Sequence, residues 1–228
     1  MTTLYGRAGD ALRWIYDHRI EAPPVLDAAR DFPNGARFVC AWRDMRREAL
    51  AIRMEQAPRF HDIMAEQTEI SANDGRDWRM FVMKAYGAEV PANLARCPTV
   101  ARLLGECPDV LSATFSYLAP GKHIPVHRGP FRGILRFHLG LSMPRGADGV
   151  PGAILWVDGV PHRLGDGECM LWDDTYPHEV LNTTEEMRVA LLLDVWRPRQ
   201  PADMAALSSA IVGAARAIAR RRPEAFAG

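Results

Sequence analysis

The sequence lacks the features that mark nucleic-acid-binding, secreted and membrane-spanning chains. Its 28 basic and 28 acidic residues cancel, so a basic surface for nucleic acid is not expected. No stretch reaches the ~20 apolar residues of a transmembrane helix. Charges at Arg7, Asp10 and Arg13 argue against a signal peptide. We therefore expect a cytoplasmic protein, with peripheral contact to a membrane as the alternative.

Cysteine is scarce, and the four cysteines form no C-x-x-C pair. We interpret them as small buried side chains in a reducing compartment rather than as disulfides or a metal cluster. A length of 228 residues suits a single domain, residues 1–228, with its own core. The cysteines are Cys40, Cys97, Cys107 and Cys169.

Residues 1–110 are predicted to form a helical region that buttresses the remainder of the fold. Residues 1–34 contain three prolines and are expected to be irregular. Between residues 34 and 55 the pattern is helical, and a second helix is expected over 94–104. In the first of these helices the apolar residues recur at threes and fours, namely Phe38, Trp42, Met45, Ala49 and Ile52.

The central part, residues 111–199, changes to a period of two, which is typical of half-buried strands. Asp158-Gly159 matches a two-residue hairpin turn. Many short strands that enclose polar residues predict a mainly β barrel or jelly roll. The strand-like runs after the first are 123–128, 133–141, 153–157, 160–164, 169–173, 178–182 and 187–197.

The last part, residues 200–228, is predicted to carry a helix from Asp203 to Arg222 on the outside of the barrel. Arginines gather at its end, where the helix dipole favours cations. Packing against the barrel or another subunit is favoured over membrane association, and the oligomeric state stays open. The proposed apolar stripe is Met204, Leu207, Ile211, Ala214, Ala215 and Ile218.

Two histidines and an arginine carry the functional argument. His127 ends one strand-like run, His178 begins another, and Arg188 lies on the last strand. Imidazole suits iron, copper, nickel or zinc, and two imidazoles with open positions suit non-haem iron(II) best, while the arginine suits an anionic co-substrate. A carboxylate two residues after the first histidine would be the usual third ligand, but that position is Gly129.

Strand alternation places further polar side chains in the same interior. Arg136 and His138 share one strand face, and Arg188 shares a face with Asp194. A barrel lined by Ser116, Arg136, His138 and Arg188 would bury charge that needs an anionic partner. An arginine binds a carboxylate with two parallel hydrogen bonds, which a lysine cannot do as well.

The same segments resemble the aspartyl/asparaginyl β-hydroxylase family, and in part its lipid A hydroxylase branch. The resemblance covers roughly residues 110–199. The matching residues are His127-Arg128-Gly129-Pro130, the run from Leu135 to Leu141, Asp173-Asp174-Thr175-Tyr176 with His178-Glu179-Val180, Asn182-Thr183-Thr184, and Arg188 with Asp194-Val195-Trp196.

The resemblance implies a double-stranded β-helix, of jelly-roll or cupin-like type, buttressed by N- and C-terminal helices. It also implies an oxidoreductase that uses iron(II), 2-oxoglutarate and O₂. His127 and His178 would bind the metal, and Arg188 would bind the C5 carboxylate of 2-oxoglutarate with help from Ser116. His138 is assigned to the co-substrate, while Arg136 is assigned either to the co-substrate or to the substrate.

The substrate is less defined by the sequence. We expect a carboxylate or carboxamide compound, such as a free amino acid or a peptidyl Asp or Asn, oriented by an unpaired Arg136. Alternatives are hydroxylation of a lipid acyl chain and halogenation, since Gly129 leaves a ligand position open. A barrel that only binds ligands is a further alternative, against which the intact set of His127, His178 and Arg188 argues.

Overall fold

The computed structural model describes residues 4–221 and 225–226. Eleven strands form two antiparallel sheets in this part of the chain, and helices flank them. The strands are β1 (Val25–Leu26), β2 (Trp78–Ala85), β3 (Ala88–Glu89), β4 (Val110–Leu118), β5 (His123–His127), β6 (Ile134–Ser142), β7 (Ala153–Val157), β8 (Val160–His162), β9 (Cys169–Trp172), β10 (His178–Asn182) and β11 (Arg188–Trp196).

Nine α-helices lie in the described residues, and most of them precede the β core. Two short 3₁₀ turns, Met54–Gln56 and Ala65–Gln67, lie among them. The helices are α1 (Leu4–Asp17), α2 (Ala28–Asp31), α3 (Gly35–Cys40), α4 (Trp42–Leu50), α5 (Phe60–Ile63), α6 (Thr68–Ser71), α7 (Pro91–Leu94), α8 (Pro98–Glu106) and α9 (Ala202–Arg221).

The two sheets face each other as a double-stranded β-helix, as predicted. The larger sheet has the order β1-β9-β6-β11-β4-β2-β3, and the smaller has the order β5-β10-β7-β8. The hairpin between β7 and β8 turns at Asp158-Gly159, both with positive φ (51° and 79°), which confirms the predicted turn. The region before residue 110 is not wholly helical, because β1, β2 and β3 join the larger sheet.

The larger sheet separates an apolar core from a polar interior. On β11, Val189, Leu191 and Leu193 belong to the main hydrophobic cluster, together with residues of α3, α4 and α8. Arg188 and Asp194 point to the other face, towards the smaller sheet, because side chains alternate along a strand. One strand thus closes the core and lines a cavity.

The predicted helix over 34–55 is confirmed up to Leu50, and it is divided at Ala41 into α3 and α4. Glu48 of α4 reaches across to accept hydrogen bonds from the backbone N–H groups of Thr99 (2.6 Å) and Val100 (3.4 Å). These groups have no partner within α8, because the first N–H groups of any helix are unpaired. The expected helix over 94–104 begins instead at Pro98, a residue favoured in the first turn.

The expectation that residues 1–34 are irregular is wrong for their first half. The three prolines all follow residue 22, and α1 precedes them. Its residue Tyr16 is fully buried with Phe131 and Met204 in one apolar cluster, and its hydroxyl is hydrogen-bonded to Ser208 of α9 at 2.7 Å. Burial of this amphipathic face against the β core and α9 stabilises α1.

The C-terminal helix exists as predicted, and Met204, Leu207 and Ile211 of the expected stripe pack in the apolar cluster, but the rest of the buried face differs. Its buried residues are Met204, Ser208, Val212 and Ala219, whereas Ala214 and Ile218 are exposed. Arg222 lies outside the described residues. By length and composition α9 could cross a membrane, with 22% of its apolar stretch buried, although the core helices of soluble proteins meet the same criterion.

Candidate metal and co-substrate site

The two histidines form a pair across neighbouring strands. His127 at the end of β5 lies directly opposite His178 at the start of β10, and their ring centroids are 4.0 Å apart. Nδ1 of His127 is 2.8 Å from the carbonyl oxygen of Pro125, and Nδ1 of His178 is 2.9 Å from that of Tyr176. A carbonyl only accepts, so each Nδ1 carries the proton and each Nε2 keeps a lone pair for a metal.

Burial keeps both imidazoles neutral. Desolvation lowers the pKa of His127, and it lowers the pKa of His178 well below the ordinary value, with His127 adding to the effect. Trp172 contacts the His178 ring edge-on at 4.7 Å. A neutral imidazole is the form that binds a metal, so the pair is ready for coordination at neutral pH.

The position of the missing third ligand is filled by another carboxylate. A β-carbon on Gly129 would lie 2.1 Å from Oδ1 of Asp174, and the N–H of Gly129 donates to the carbonyl of Asp174 at 2.6 Å. Burial raises the pKa of Asp174 to about 6, although Arg136 opposes the shift. Among the described residues no three His, Cys, Asp or Glu side chains converge as a metal site. The two imidazoles are the candidate donors.

Arg188 is a buried cation without a carboxylate partner among the described residues. It is 2% exposed, and its Nη1 donates to Ser116 at 3.3 Å (Oγ) and 3.4 Å (O), while its Nε has no partner in the described chain. Desolvation lowers the pKa of Arg188 to about 10, which reflects how poorly its charge is compensated. His138 is buried beside it with its Nε2 also unpaired, and burial moves its pKa well below the ordinary value.

One cavity brings together all six residues selected from the sequence. It lies between the sheets and is closed by Trp78, whose Nε1 donates to Ser116 Oγ at 3.1 Å, and by Trp172. The selected residues that line it are His127, His178, Ser116, Arg136, His138 and Arg188. Trp78 thus forms a wall of this cavity.

The expectation that Arg136 is unpaired is wrong. Its guanidinium donates to Asp194 at 2.9 and 3.0 Å, and it lies 3.3 Å from Asp174. Asp194 stands directly opposite Arg136 in the β6–β11 register. The alternation of β11 had placed Asp194 on the inward face, but only the register reveals which residue it neutralises.

A buried ionic cluster fixes the loop before His178. Asp173 is fully buried, forms ion pairs with Arg132 (3.0 Å) and Arg197, and accepts a hydrogen bond from the Thr175 hydroxyl (2.6 Å). Arg132 also pairs with Asp17 at 2.9 Å, which connects this loop to the end of α1. Sequence reasoning missed this role of Asp173, although the quoted Asp-Asp-Thr-Tyr segment contains it.

A wider pocket of about 170 Å³ opens beside the two histidines. Its polar floor contains Arg136, which is paired with both Asp174 and Asp194. Much of the remaining wall is apolar, and this part is formed by Phe60, Ile63, Met64, Met80, Val82 and Phe226. Lys84 and Arg128 also line the pocket, and neither forms an ion pair with another described residue. The pocket therefore offers mainly apolar contacts beside these two cations.

Comparison with known proteins identifies a protein family that this chain matches. A model described as Aspartyl/Asparaginyl beta-hydroxylase matches residues 40–198. An ornithine lipid ester-linked acyl 2-hydroxylase of Rhizobium tropici is 35% identical over 178 residues, or 77% of this chain and 61% of that protein. Aspartate beta-hydroxylase domain-containing protein 2 of Mus musculus is 31% identical over 139 residues, or 57% of this chain and 39% of that protein. This chain thus spans less than two thirds of either relative.

Among solved structures, a cupin domain of Schizosaccharomyces pombe Cnp3 has a TM-score of 0.33 at 12% identity. That match covers 46% of this chain and 64% of the other.

Proposed function

We propose that this chain, which belongs to the aspartyl/asparaginyl β-hydroxylase family, is a 2-oxoglutarate- and iron(II)-dependent dioxygenase that hydroxylates an unactivated C–H bond. One observation carries the proposal. Two neutral imidazoles, each with its Nδ1 bonded to a backbone carbonyl, share a cavity with Arg188, a buried cation that has no carboxylate partner among the described residues. A metal would bind the two imidazoles, and an anionic co-substrate would pair with Arg188.

The residues present fit the absent groups. His127 and His178 would hold iron(II) through Nε2, since their Nδ1 atoms are already bonded to backbone carbonyls. Imidazole is a suitable ligand for iron(II), and open positions beside two histidines suit oxygen chemistry. Iron(II), 2-oxoglutarate and O₂, when bound, supply the oxidising chemistry that replaces hydrogen on carbon by a hydroxyl group.

The remaining residues bind and orient the co-substrate. Arg188 binds the C5 carboxylate of 2-oxoglutarate, and Ser116 assists with its O–H, because its Oγ already accepts from Trp78 and Arg188. His138 offers its unpaired Nε2 to the co-substrate from the same side. Trp78 and Trp172 line this cavity, and the low dielectric beside their rings strengthens each charge-assisted hydrogen bond.

The pocket favours an acyl chain as the substrate. The expectation of a carboxylate substrate rested on an unpaired Arg136, and Asp194 and Asp174 neutralise that arginine. An alkyl chain leaves the paired charge of Arg136 undisturbed, and its burial against the apolar walls is favourable. The 35% identity to a protein named as a lipid acyl 2-hydroxylase supports the same choice.

Halogenation is disfavoured by the surroundings of Gly129. A halide beside the metal would occupy the space next to Gly129, where the Asp174 carboxylate already lies. Two negative charges in one buried site repel each other. Gly129 therefore makes room for a carboxylate held by another loop, and we propose hydroxylation.

The test combines turnover with binding. Protein loaded with iron(II) is incubated with 2-oxoglutarate, O₂ and acyl lipids, with free and peptidyl Asp and Asn as the alternative substrates, and with added bromide in one arm. We expect succinate and a lipid that has gained one oxygen atom, and neither product with His127→Ala or His178→Ala. The exposed His18→Ala serves as the control.

Other outcomes assign other functions. Succinate stimulated only by Asp or Asn compounds would restore the carboxylate substrate, and a brominated product would establish a halogenase. A protein that binds 2-oxoglutarate but forms no succinate with any of these compounds would be a binding module.

A further inference from the structure

A second cleft, of about 200 Å³, adjoins the wider pocket beside the two histidines, which is called the reaction pocket below. The chemistry proposed above assigns this cleft no role. Three parts of the chain meet there. They are α1, the segment formed by the 3₁₀ turn Ala65–Gln67 and α6, and the loop after β5. His127, Arg128, Pro130 and Gln67 line both the cleft and the reaction pocket, so the two are continuous.

The cleft contains unpaired charges of both signs. Arg128, Glu66 and Glu69 line it, all are exposed, and none forms an ion pair or a side-chain hydrogen bond with another described residue. Several other exposed arginines are paired, as Arg37 is with Glu106. Opposite charges that share a cleft without pairing are available to a ligand that has both.

Arg13 completes the cleft but is already engaged. It pairs with Asp10, and its Nη1 donates to the carbonyl of Gly129 at 3.1 Å. The free charges are therefore one cation, Arg128, and two carboxylates, Glu66 and Glu69. The excess of one negative charge repels a phosphate headgroup. The presence of both signs suits a group with one carboxylate and one ammonium.

We propose that this cleft is the headgroup subsite for a zwitterionic amino-acid lipid, a proposal that rests on the proposed function. Arg128 binds the carboxylate of the headgroup, since a guanidinium forms two parallel hydrogen bonds with it. Glu66 and Glu69 bind the ammonium. The acyl chain passes from the cleft into the apolar pocket.

The arrangement also determines which carbon reacts. His127 lies where the cleft and the pocket meet. With the headgroup on one side and the apolar walls on the other, carbons at the polar end of the acyl chain lie beside His127. Hydroxylation is therefore directed to the carboxyl-derived end of the chain rather than to its methyl end.

Binding is measured on metal-free protein by titration calorimetry, below the micellar concentration of each probe. The probes are N-dodecanoyl-ornithine, N-dodecanoyl-norvaline, which lacks only the ammonium group, and a lysophosphatidic acid of equal chain length. We expect the ornithine lipid to bind about three- to fivefold more tightly than the norvaline lipid, as exposed charge pairs contribute little each. The lysophosphatidic acid should bind more weakly than either.

Variants test separately the residues proposed to bind the ammonium and the residue proposed to bind the carboxylate. Glu66→Gln/Glu69→Gln should weaken binding of the ornithine lipid to the level of the norvaline lipid and leave the norvaline lipid unchanged. Arg128→Glu should weaken both by roughly tenfold, because attraction becomes repulsion. Glu185→Gln and Arg53→Glu, at exposed positions outside the cleft, are the matched controls.

Each outcome decides the matter. Equal affinity for the ornithine and norvaline lipids, or tighter binding of lysophosphatidic acid, overturns the subsite. The expected binding pattern without succinate formation in iron-loaded protein keeps the subsite and refutes the dioxygenase. Succinate formation without discrimination between the headgroups refutes the subsite and keeps the dioxygenase.

Discussion

Asp174 occupies the space that a side chain on Gly129 would need. A β-carbon at position 129 would lie 2.1 Å from Oδ1 of Asp174, and the N–H of Gly129 donates to the carbonyl of the same residue at 2.6 Å. The absence of a carboxylate at position 129 is thus matched by a buried carboxylate from the loop before β10. The two positions form one unit of the site.

This unit predicts that Gly129→Asp fails to create a third metal ligand. The new side chain collides with Asp174, and such overpacking costs about 1–3 kcal/mol of the free energy of unfolding. Gly129→Asp/Asp174→Gly removes the collision and should recover the lost stability. Urea unfolding and iron content measure the two effects. A single variant as stable as the wild-type protein, with more iron bound, would contradict the packing argument.

Arg188→Ala should raise the 2-oxoglutarate concentration needed for half-maximal binding. Removing one partner of a buried charge pair costs ~3–5 kcal/mol, hence roughly 10²- to 10³-fold in affinity. Arg188→Lys should recover only part, because the forked geometry is lost. Calorimetry measures the affinity, with the exposed Arg145→Ala as control. An unchanged affinity in Arg188→Ala would assign the C5 carboxylate to another residue.

His178 makes the stability of metal-free protein depend on pH. Burial lowers its pKa well below the ordinary value, and His127 lowers it further. Below pH ~6.5 the unfolded chain gains a proton that the folded chain does not. The free energy of unfolding therefore decreases as the pH is lowered through this range. Above that pH neither state is protonated, and the effect disappears.

We expect this group to contribute a loss of up to ~1 kcal/mol between pH 6.5 and 5.5. Urea unfolding in the presence of a chelator, at pH 7.5 and 5.5, measures the loss. His178→Asn should lose less than the wild-type protein, and the exposed His18→Asn should lose as much as the wild-type protein. An identical pH dependence in His178→Asn would show that its imidazole is not the cause.

Substitutions on two faces of helix α9 should differ in their effect on the free energy of unfolding. Val212 is 1% exposed and shares an apolar cluster with Tyr16 and Phe131, so Val212→Asp buries a charge and should cost about 3 kcal/mol or more. Ala214 is exposed, and Ala214→Asp should change the free energy of unfolding by less than ~0.5 kcal/mol. Thermal or urea unfolding separates the two. The reverse order of effects would support the stripe expected from the sequence.

The sequence alone determined the strands and their two faces. The period of two along β4, β6 and β11 is a local property, because successive side chains on any strand point to opposite sides. It therefore identified Arg188 and His138 as inward-facing residues. The two histidines also stood out, because imidazoles beside a polar barrel interior suit few other purposes.

Only the tertiary structure decided how these residues neutralise and position one another. That Asp194 faces Arg136 depends on the register between β6 and β11, and that Asp174 fills the space beside Gly129 depends on two loops far apart in the chain. Such pairings are set by packing and hydrogen bonding between segments, which no local pattern records. They changed Arg136 from a free cation into a neutralised one, and they moved the proposed substrate from a carboxylate to an acyl chain.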